Sequence, residues 1–179
     1  GYCFEIENIL SDLEAESEKG YFLVSSTSNK NRSRQYNPYT LNQEINFAEA
    51  HIENIFSDHL PEILDDYGVN LNLVKKIVMG ASMGGLMSLK SSIMFPEFNN
   101  IISFSPAFWF GYQELIKDLK NLNINSAINL TVGTNEGSIF TKPVSDLYPT
   151  EWNLDLTSNN NFYTSGVEKI YEELISSNI

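Results

Sequence analysis

A serine between two glycines separates a short apolar run from a helical pattern near the middle of the chain, at residues 80–84 (GASMG). This stretch matches the pattern G-x-S-x-G, in which a serine sits on a sharp turn between a strand and a helix. Residues 77–79 (IVM) supply the strand before the turn, and residues 84–94 (GGLMSLKSSIM) supply the helix after it. The sequence therefore predicts a strand–turn–helix unit with Ser82 at its corner.

Short apolar runs alternate with amphipathic segments along most of the chain. Strands are predicted at residues 21–26, 76–79, 101–104 and 128–132, and helices at residues 42–67, 84–94, 112–120 and 162–176. Pro61 should kink the first of these helices or divide it in two. Short strands that alternate with helices predict a parallel sheet with helices on both faces, so the expected fold class is α/β and doubly wound.

Length, charge and composition narrow the class of protein. A chain of 179 residues is long enough for one domain with a full core, and we expect a single domain over residues 1–179. The net charge of -12 disfavours nucleic acid and anionic membrane surfaces as partners, because proteins bind both through patches of basic side chains. No apolar run approaches the roughly 18 residues that a membrane span needs.

Cysteine and histidine are too rare to suggest a disulfide framework or a metal site. The chain has 1 cysteine and 2 histidines, without metal-ligand spacing. The single cysteine and the acidic N-terminal residues, which show no signal peptide, lead us to expect a cytoplasmic location; the alternative is that residues before Gly1 carry a leader. The asparagine run at residues 159–161 is interpreted as codon bias or polar loop sequence.

The predicted turn gives Ser82 the surroundings of a nucleophile. The serine of such a turn has a strained backbone, so its neighbours must be small. Gly80 would let the end of the strand pass close to the helix. Gly84 would relieve crowding in the first turn of that helix. A serine at a helix N-terminus also lies close to backbone N–H groups that can bind an oxyanion, and Met83 is one expected donor. A small-residue turn without a catalytic role is the alternative.

Several motifs together resemble those of the esterase-D, enterochelin-esterase and feruloyl-esterase group of α/β-hydrolases. Residues 80–89 (GASMGGLMSL) resemble the G-x-S-M-G-G segment of that group, and residues 103–109 (SFSPAFW) resemble its SPxxW segment. Residues 35–40 (QYNPYT) and 132–136 (VGTNE) resemble its eYtP and GTxD/E segments. The resemblance spans roughly residues 20–140. It implies an α/β-hydrolase fold and a serine esterase that needs no metal or organic cofactor.

The resemblance also implies roles for individual residues. Ser82 would be the nucleophile, and Glu136 would be the acid that orients the general base. Trp109 would be an apolar contact beside the substrate pocket, and the N–H of Tyr2 would be the second oxyanion donor. A solvated loop glutamate and a plain core aromatic are the alternatives for Glu136 and Trp109.

The general base that a serine nucleophile needs is not evident. In the resembling group a histidine follows the last helix, whereas this sequence ends at that helix. His51 and His59 fall on the helical pattern before the elbow strand, and we expect them at the surface. Either the first strands and the histidine loop lie outside residues 1–179, or the chain is an inactive hydrolase fold that binds a ligand or partner.

The expected partner is a small-molecule carboxylic ester. The same set of groups also accepts thioesters or transfers an acyl group to an alcohol, and the substrate is not specified because pocket residues lie in loops. If outer strands are absent, exposed sheet edges favour association, so a homo-oligomer is a further expectation.

Overall fold

The computed structural model describes residues 11–12, 14–15, 20–26, 32–39, 47–123, 125–140, 148 and 152–176. Ser82, Glu136 and Trp109 are among them. Tyr2, the expected second oxyanion donor, lies outside the described residues. Residues 42–46 of the first predicted helix also lie outside them.

Three parallel strands form the sheet of the described residues. Strand β1 comprises Ile77–Ala81, β2 comprises Asn100–Phe104 and β3 comprises Ala127–Thr131, in the order β1-β2-β3. The register pairs Ala81 with Phe104 and Phe104 with Thr131, so the three strands end at the same level. The parallel α/β architecture is confirmed, because each strand leads into a helical segment before the chain continues.

Helices precede, connect and follow these strands. They include α1 (Arg32–Gln35), α2 (Phe47–Glu53), α3 (Leu60–Asp66), α4 (Met83–Met94), α5 (Tyr112–Leu119) and α6 (Asn159–Ser176), and residues 11–12 and 14–15 are also helical. A π-helical segment, Asn54–His59, joins α2 to α3. Pro61 has no N–H and its ring crowds the carbonyl four residues earlier, which a widened turn relieves. Residues 47–66 are thus continuously helical, and the helix changes type before Pro61 where a kink or a division was predicted.

The buried core lies against one face of the sheet. Val78, Ile101 and Ile128 share this face by register, and all three belong to the main apolar cluster. Leu86 of α4 and Ile170 of α6 contact the same cluster and are 0% exposed. Burial of these side chains thus fixes α4 on the sheet and joins α6 to the same core.

The opposite face of the sheet carries exposed apolar side chains. Ile77, Met79 and Phe104 lie on it and are 44%, 44% and 43% exposed. Within the described residues, helices therefore cover one of the two faces on which they were expected.

Residues 21–26 do not form the strand that was predicted for them. They adopt no regular structure, and Tyr21, Phe22 and Leu23 are 39%, 44% and 39% exposed. Val24 packs against the apolar cluster of α3 instead. A strand requires a hydrogen-bonded neighbour, and no strand of the described sheet pairs with this segment. The apolar run therefore reflects packing on a helix, and the strand prediction is wrong.

Candidate active site

Ser82 lies at the corner between β1 and α4, as the sequence predicts. Its backbone angles are φ 56° and ψ −120°, a conformation that few residues other than glycine adopt. The Ser82 N–H donates to the carbonyl oxygen of Phe104 at 2.9 Å. The Ser82 carbonyl oxygen accepts from the N–H groups of Gly85 and Ala107 at 3.0 and 3.1 Å. The strained corner is thus held by the neighbouring strand, by the helix and by the loop after β2.

The glycines around Ser82 have different roles. A Cβ at Gly80 would lie 2.2 Å from the carbonyl oxygen of Gly84, so the strand and the helix touch through their backbones. A Cβ at Gly84 would meet nothing within 4 Å outside its own helix, so the crowding expected there is absent. The second tight position is Gly85, where a Cβ would lie 2.5 Å from the hydroxyl oxygen of Ser103.

The hydroxyl of Ser82 sits at a helix N-terminus. The side chain is half-buried, and none of the side-chain hydrogen bonds found among the described residues engages its oxygen. Met83 is the first residue of α4, so its N–H has no acceptor within the helix. That N–H group and the positive end of the helix dipole can stabilise negative charge that develops next to Ser82.

Glu136 begins a short 3-10 helix, Glu136–Ile139, in the loop after β3. Its carboxylate oxygen Oε1 accepts a hydrogen bond of 2.6 Å from the hydroxyl of Ser105, the residue that directly follows β2. Ser82 follows β1 at the same edge of the sheet. Because neighbouring strands lie about 4.8 Å apart, the loops that carry Ser82 and Glu136 start about 10 Å apart. The structure therefore places both residues at one edge of the sheet, with Ser105 between them.

Tyr163 of α6 lies next to this carboxylate. Its hydroxyl donates to the carbonyl oxygen of Ser105. Burial raises the pKa of Tyr163, and the negative charge of Glu136 raises it further, so the phenol stays protonated and remains a donor. Sequence reasoning did not identify Ser105 or Tyr163, because only the fold shows that they meet.

The asparagine run at the start of α6 holds the loop that carries Glu136, called the acid loop below. Asn160 Oδ1 accepts from the N–H of Gly137 at 2.6 Å, and Asn159 Nδ2 donates to the carbonyl oxygen of Phe140 at 3.3 Å. A Cβ at Gly137 would lie 2.3 Å from the backbone nitrogen of Asn160. The interpretation of this run as polar loop sequence is therefore wrong: all three asparagines are helical, and Asn159 and Asn160 dock the acid loop against α6.

Trp109 is packed mainly inside the core. It is 9% exposed, and the centroid of its ring lies 5.7, 5.0 and 4.8 Å from those of Phe110, Phe140 and Tyr163. Tyr163 thus connects the aromatic cluster to the backbone of Ser105, whose hydroxyl donates to Glu136. Only the small exposed part of Trp109 is accessible to a substrate.

Neither histidine contacts Ser82. His51 lies on α2 with its Nε2 atom 3.4 Å from the hydroxyl oxygen of Ser26, and partial burial lowers its pKa. His59 is exposed in the π-helical segment. Within the described residues, no hydrogen bond joins either of them to Ser82.

The described part of the chain contains neither a membrane-spanning helix nor a cluster of metal-binding side chains. There, no helix has both the length and the apolar character that crossing a membrane would require. Nor do three or more His, Cys, Asp or Glu side chains come together anywhere in that part in a way that could hold a metal ion.

The comparisons with known proteins agree with this geometry. Residues 7–140 match the model of the family described as "Putative esterase". Among solved structures, the chain is similar to the siderophore hydrolase EstA from Aspergillus nidulans, with a TM-score of 0.58 and 17% sequence identity. The match covers 96% of this chain and 66% of that one, which is just under two thirds of its length. No curated protein matches the sequence at a significant level.

Proposed function

The chain belongs to this esterase family, and on that premise we propose that it hydrolyses a carboxylic ester through an acyl-enzyme intermediate on Ser82. The observation that carries the proposal is the backbone of Ser82, with φ 56° at the N-terminus of α4. A residue in such a conformation costs on the order of 1–3 kcal/mol, and it persists only where neighbouring contacts hold it. A turn that only joined a strand to a helix would not require this backbone conformation.

The proposed reaction begins with attack of the Ser82 hydroxyl oxygen on the ester carbonyl carbon. The carbonyl oxygen then carries the negative charge, and the N–H groups of Met83 and Tyr2 are the proposed donors to it. The hydroxyl proton passes to a histidine that we propose is supplied from outside residues 1–179, and Glu136 holds the tautomer of its imidazole. The proton then leaves with the alcohol, and a water molecule, activated by the same base, hydrolyses the acyl-enzyme and restores the serine.

We propose that the substrate contains a carboxylic ester bond, and we propose nothing about the groups on either side of it. The matched family is described as an esterase family and the similar structure is named a siderophore hydrolase, which together support hydrolysis of an ester. A thioester substrate, or transfer of the acyl group to an alcohol, would use the same groups. The net charge of -12 disfavours strongly anionic substrates at long range. Trp109 remains the proposed apolar contact, through the part of its ring that stays exposed.

Replacement of the nucleophile in the full-length protein tests the proposal. We expect Ser82→Ala to lower the kcat for a short-chain aryl ester by about 10⁴-fold or more, because no other group can form the acyl-enzyme. Ser57→Ala, at an exposed serine of the π-helical segment, is the matched control and should keep the wild-type kcat. Equal activity of Ser82→Ala and the wild type would refute the proposal.

A second candidate is an inactive hydrolase fold that binds a ligand or partner. The observation in its favour is that neither His51 nor His59 contacts Ser82 within the described residues. This candidate predicts that a fluorophosphonate leaves Ser82 unlabelled in the folded full-length protein, whereas the esterase proposal predicts labelling.

A further inference from the structure

Ser105 occupies an unusual backbone position between the nucleophile and the acid. It follows the middle strand β2, whose neighbours β1 and β3 lead to Ser82 and to Glu136. Its φ is 40°, and among the described residues only Ser82 and Asn153 share a positive φ without being glycine. A strained conformation at a serine, where glycine would be comfortable, indicates that the side chain has a use.

The hydroxyl of Ser105 connects the acid to the sheet. It donates to Glu136 Oε1 at 2.6 Å and accepts from the N–H of Gly133 at 3.1 Å. An amide N–H can only donate, so the single hydroxyl proton is directed to the carboxylate. Among the described residues, no hydrogen bond is found to the second carboxylate oxygen, Oε2, which leaves that oxygen for an imidazole.

The backbone of Ser105 is itself fixed on both sides. Its N–H donates to the carbonyl oxygen of Thr131 on β3 at 2.7 Å, and its carbonyl oxygen accepts from the hydroxyl of Tyr163 on α6. The hydroxyl of Ser105 is therefore anchored to the strand and to the helix that border the acid loop.

We propose that Ser105 is the positioning residue for Glu136. Its hydrogen bond holds the carboxylate in one rotamer, so that Oε2 faces the general base while Oε1 is occupied. The inference rests on the proposed role of Glu136 as the acid of the catalytic triad. If the residue at position 105 only shaped the backbone turn, its positive φ would be needed but its hydroxyl would not.

Two variants of the full-length protein separate the hydroxyl from the backbone. Ser105→Ala removes the hydroxyl and keeps the strain, whereas Ser105→Gly removes the hydroxyl and relaxes the strain. We expect both to lower kcat for a short-chain aryl ester by about 10- to 100-fold with little change in KM, because a misplaced acid misplaces the base. If Ser105→Gly keeps the wild-type kcat, the hydroxyl has no role and the proposal is overturned.

The same substitution in a Glu136→Gln background separates the positioning role of Ser105 from the assignment of Glu136 as the acid. If Ser105 acts through Glu136, then Ser105→Ala should cause no further loss of kcat there, because the two effects are not additive. An undiminished further loss would overturn the positioning role while Glu136 remains the acid. Wild-type activity of Glu136→Gln would instead overturn the assignment of Glu136 itself, whatever the Ser105 variants show.

Discussion

The backbone of Gly80 lies so close to that of Gly84 that a β-carbon on Gly80 would stand 2.2 Å from the Gly84 carbonyl oxygen. The strand that ends before Ser82 therefore touches the helix that begins after it without any side chain between them. Ser82 lies at the corner between them, with φ 56° and ψ −120°.

The two glycines should respond differently to the same substitution. We expect Gly80→Ala to lower the free energy of unfolding by about 3 kcal/mol or more, because backbone atoms must move to admit the methyl group. Gly84→Ala is the matched control: its Cβ meets open space outside its own helix, and alanine favours a helix, so we expect a change of less than about 1 kcal/mol. Urea unfolding of both variants measures the difference, and equal destabilisation would contradict the close contact.

The docking of the acid loop on α6 makes a second prediction. Asn160→Ala removes the acceptor of the Gly137 N–H and should lower kcat for an aryl ester by about tenfold, because the loop that carries Glu136 loses its anchor. Asn161→Ala is the control, since Asn161 bonds to Asp155 and not to the acid loop. Steady-state kinetics should show the loss in the first variant alone. A similar loss in both would indicate a general effect on α6.

A nearly buried lysine joins three helices and should contribute measurably to stability. Lys90 of α4 is 8% exposed, and its Nζ lies 2.7 Å from Glu49 Oε1 on α2 and 2.7 Å from Asp118 Oδ2 on α5. Lys90→Met keeps most of the stem but leaves the two carboxylates without their cation. We expect the free energy of unfolding to fall by about 2 kcal/mol, less than the ~3–5 kcal/mol of a fully buried pair, because the Glu49 side chain is half-exposed.

A surface ion pair provides the control for Lys90. Lys169 pairs with Glu172 on the exposed side of α6 at 2.8 Å, and Lys169→Met should leave the urea midpoint nearly unchanged. If the two lysine variants have the same midpoint, the buried network does not stabilise the contact between the helices.

Because three tyrosines are buried, the free energy of unfolding should depend on pH in the alkaline range. Burial raises the pKa of Tyr39, Tyr148 and Tyr163 above the ordinary value of 10.0. Above that pH the unfolded chain loses phenolic protons that the folded chain keeps, so the free energy of unfolding should be retained below pH 10.0 and fall as the pH rises above it.

Tyr148→Phe tests this dependence with little change in packing. Its free energy of unfolding should fall less steeply than that of the wild type between about pH 10 and about pH 12, because one buried phenol no longer titrates. Urea unfolding across this range measures both slopes. A wild-type stability that is constant or increases above pH 10.0 would contradict the sign.

The corner at Ser82 and the three strands could be predicted because their signals are local. An apolar run of about five residues, then small residues, then a helical pattern specifies β1, the turn and α4 without information from elsewhere. The predicted helix at residues 84–94 is observed as Met83–Met94, and the predicted strand at residues 101–104 as Asn100–Phe104.

The remaining features depend on contacts between distant parts of the chain. Residues 21–26 have a strand-like composition, but composition does not supply the neighbouring strand that a ladder requires. The hydrogen bond from Ser105 to Glu136 joins residues 31 positions apart, and that from Gly137 to Asn160 joins residues 23 apart. A single sequence gives no sign of such pairs until the fold brings them together.

Covalent labelling of Ser82 is the most direct measurement of the proposed chemistry. The folded full-length protein is treated with a fluorophosphonate, digested and analysed by mass spectrometry. The esterase proposal predicts a phosphonyl adduct on the peptide that contains Ser82, and no adduct at that position in Ser82→Ala. An unmodified Ser82 in folded protein, or labelling confined to another residue, would contradict it.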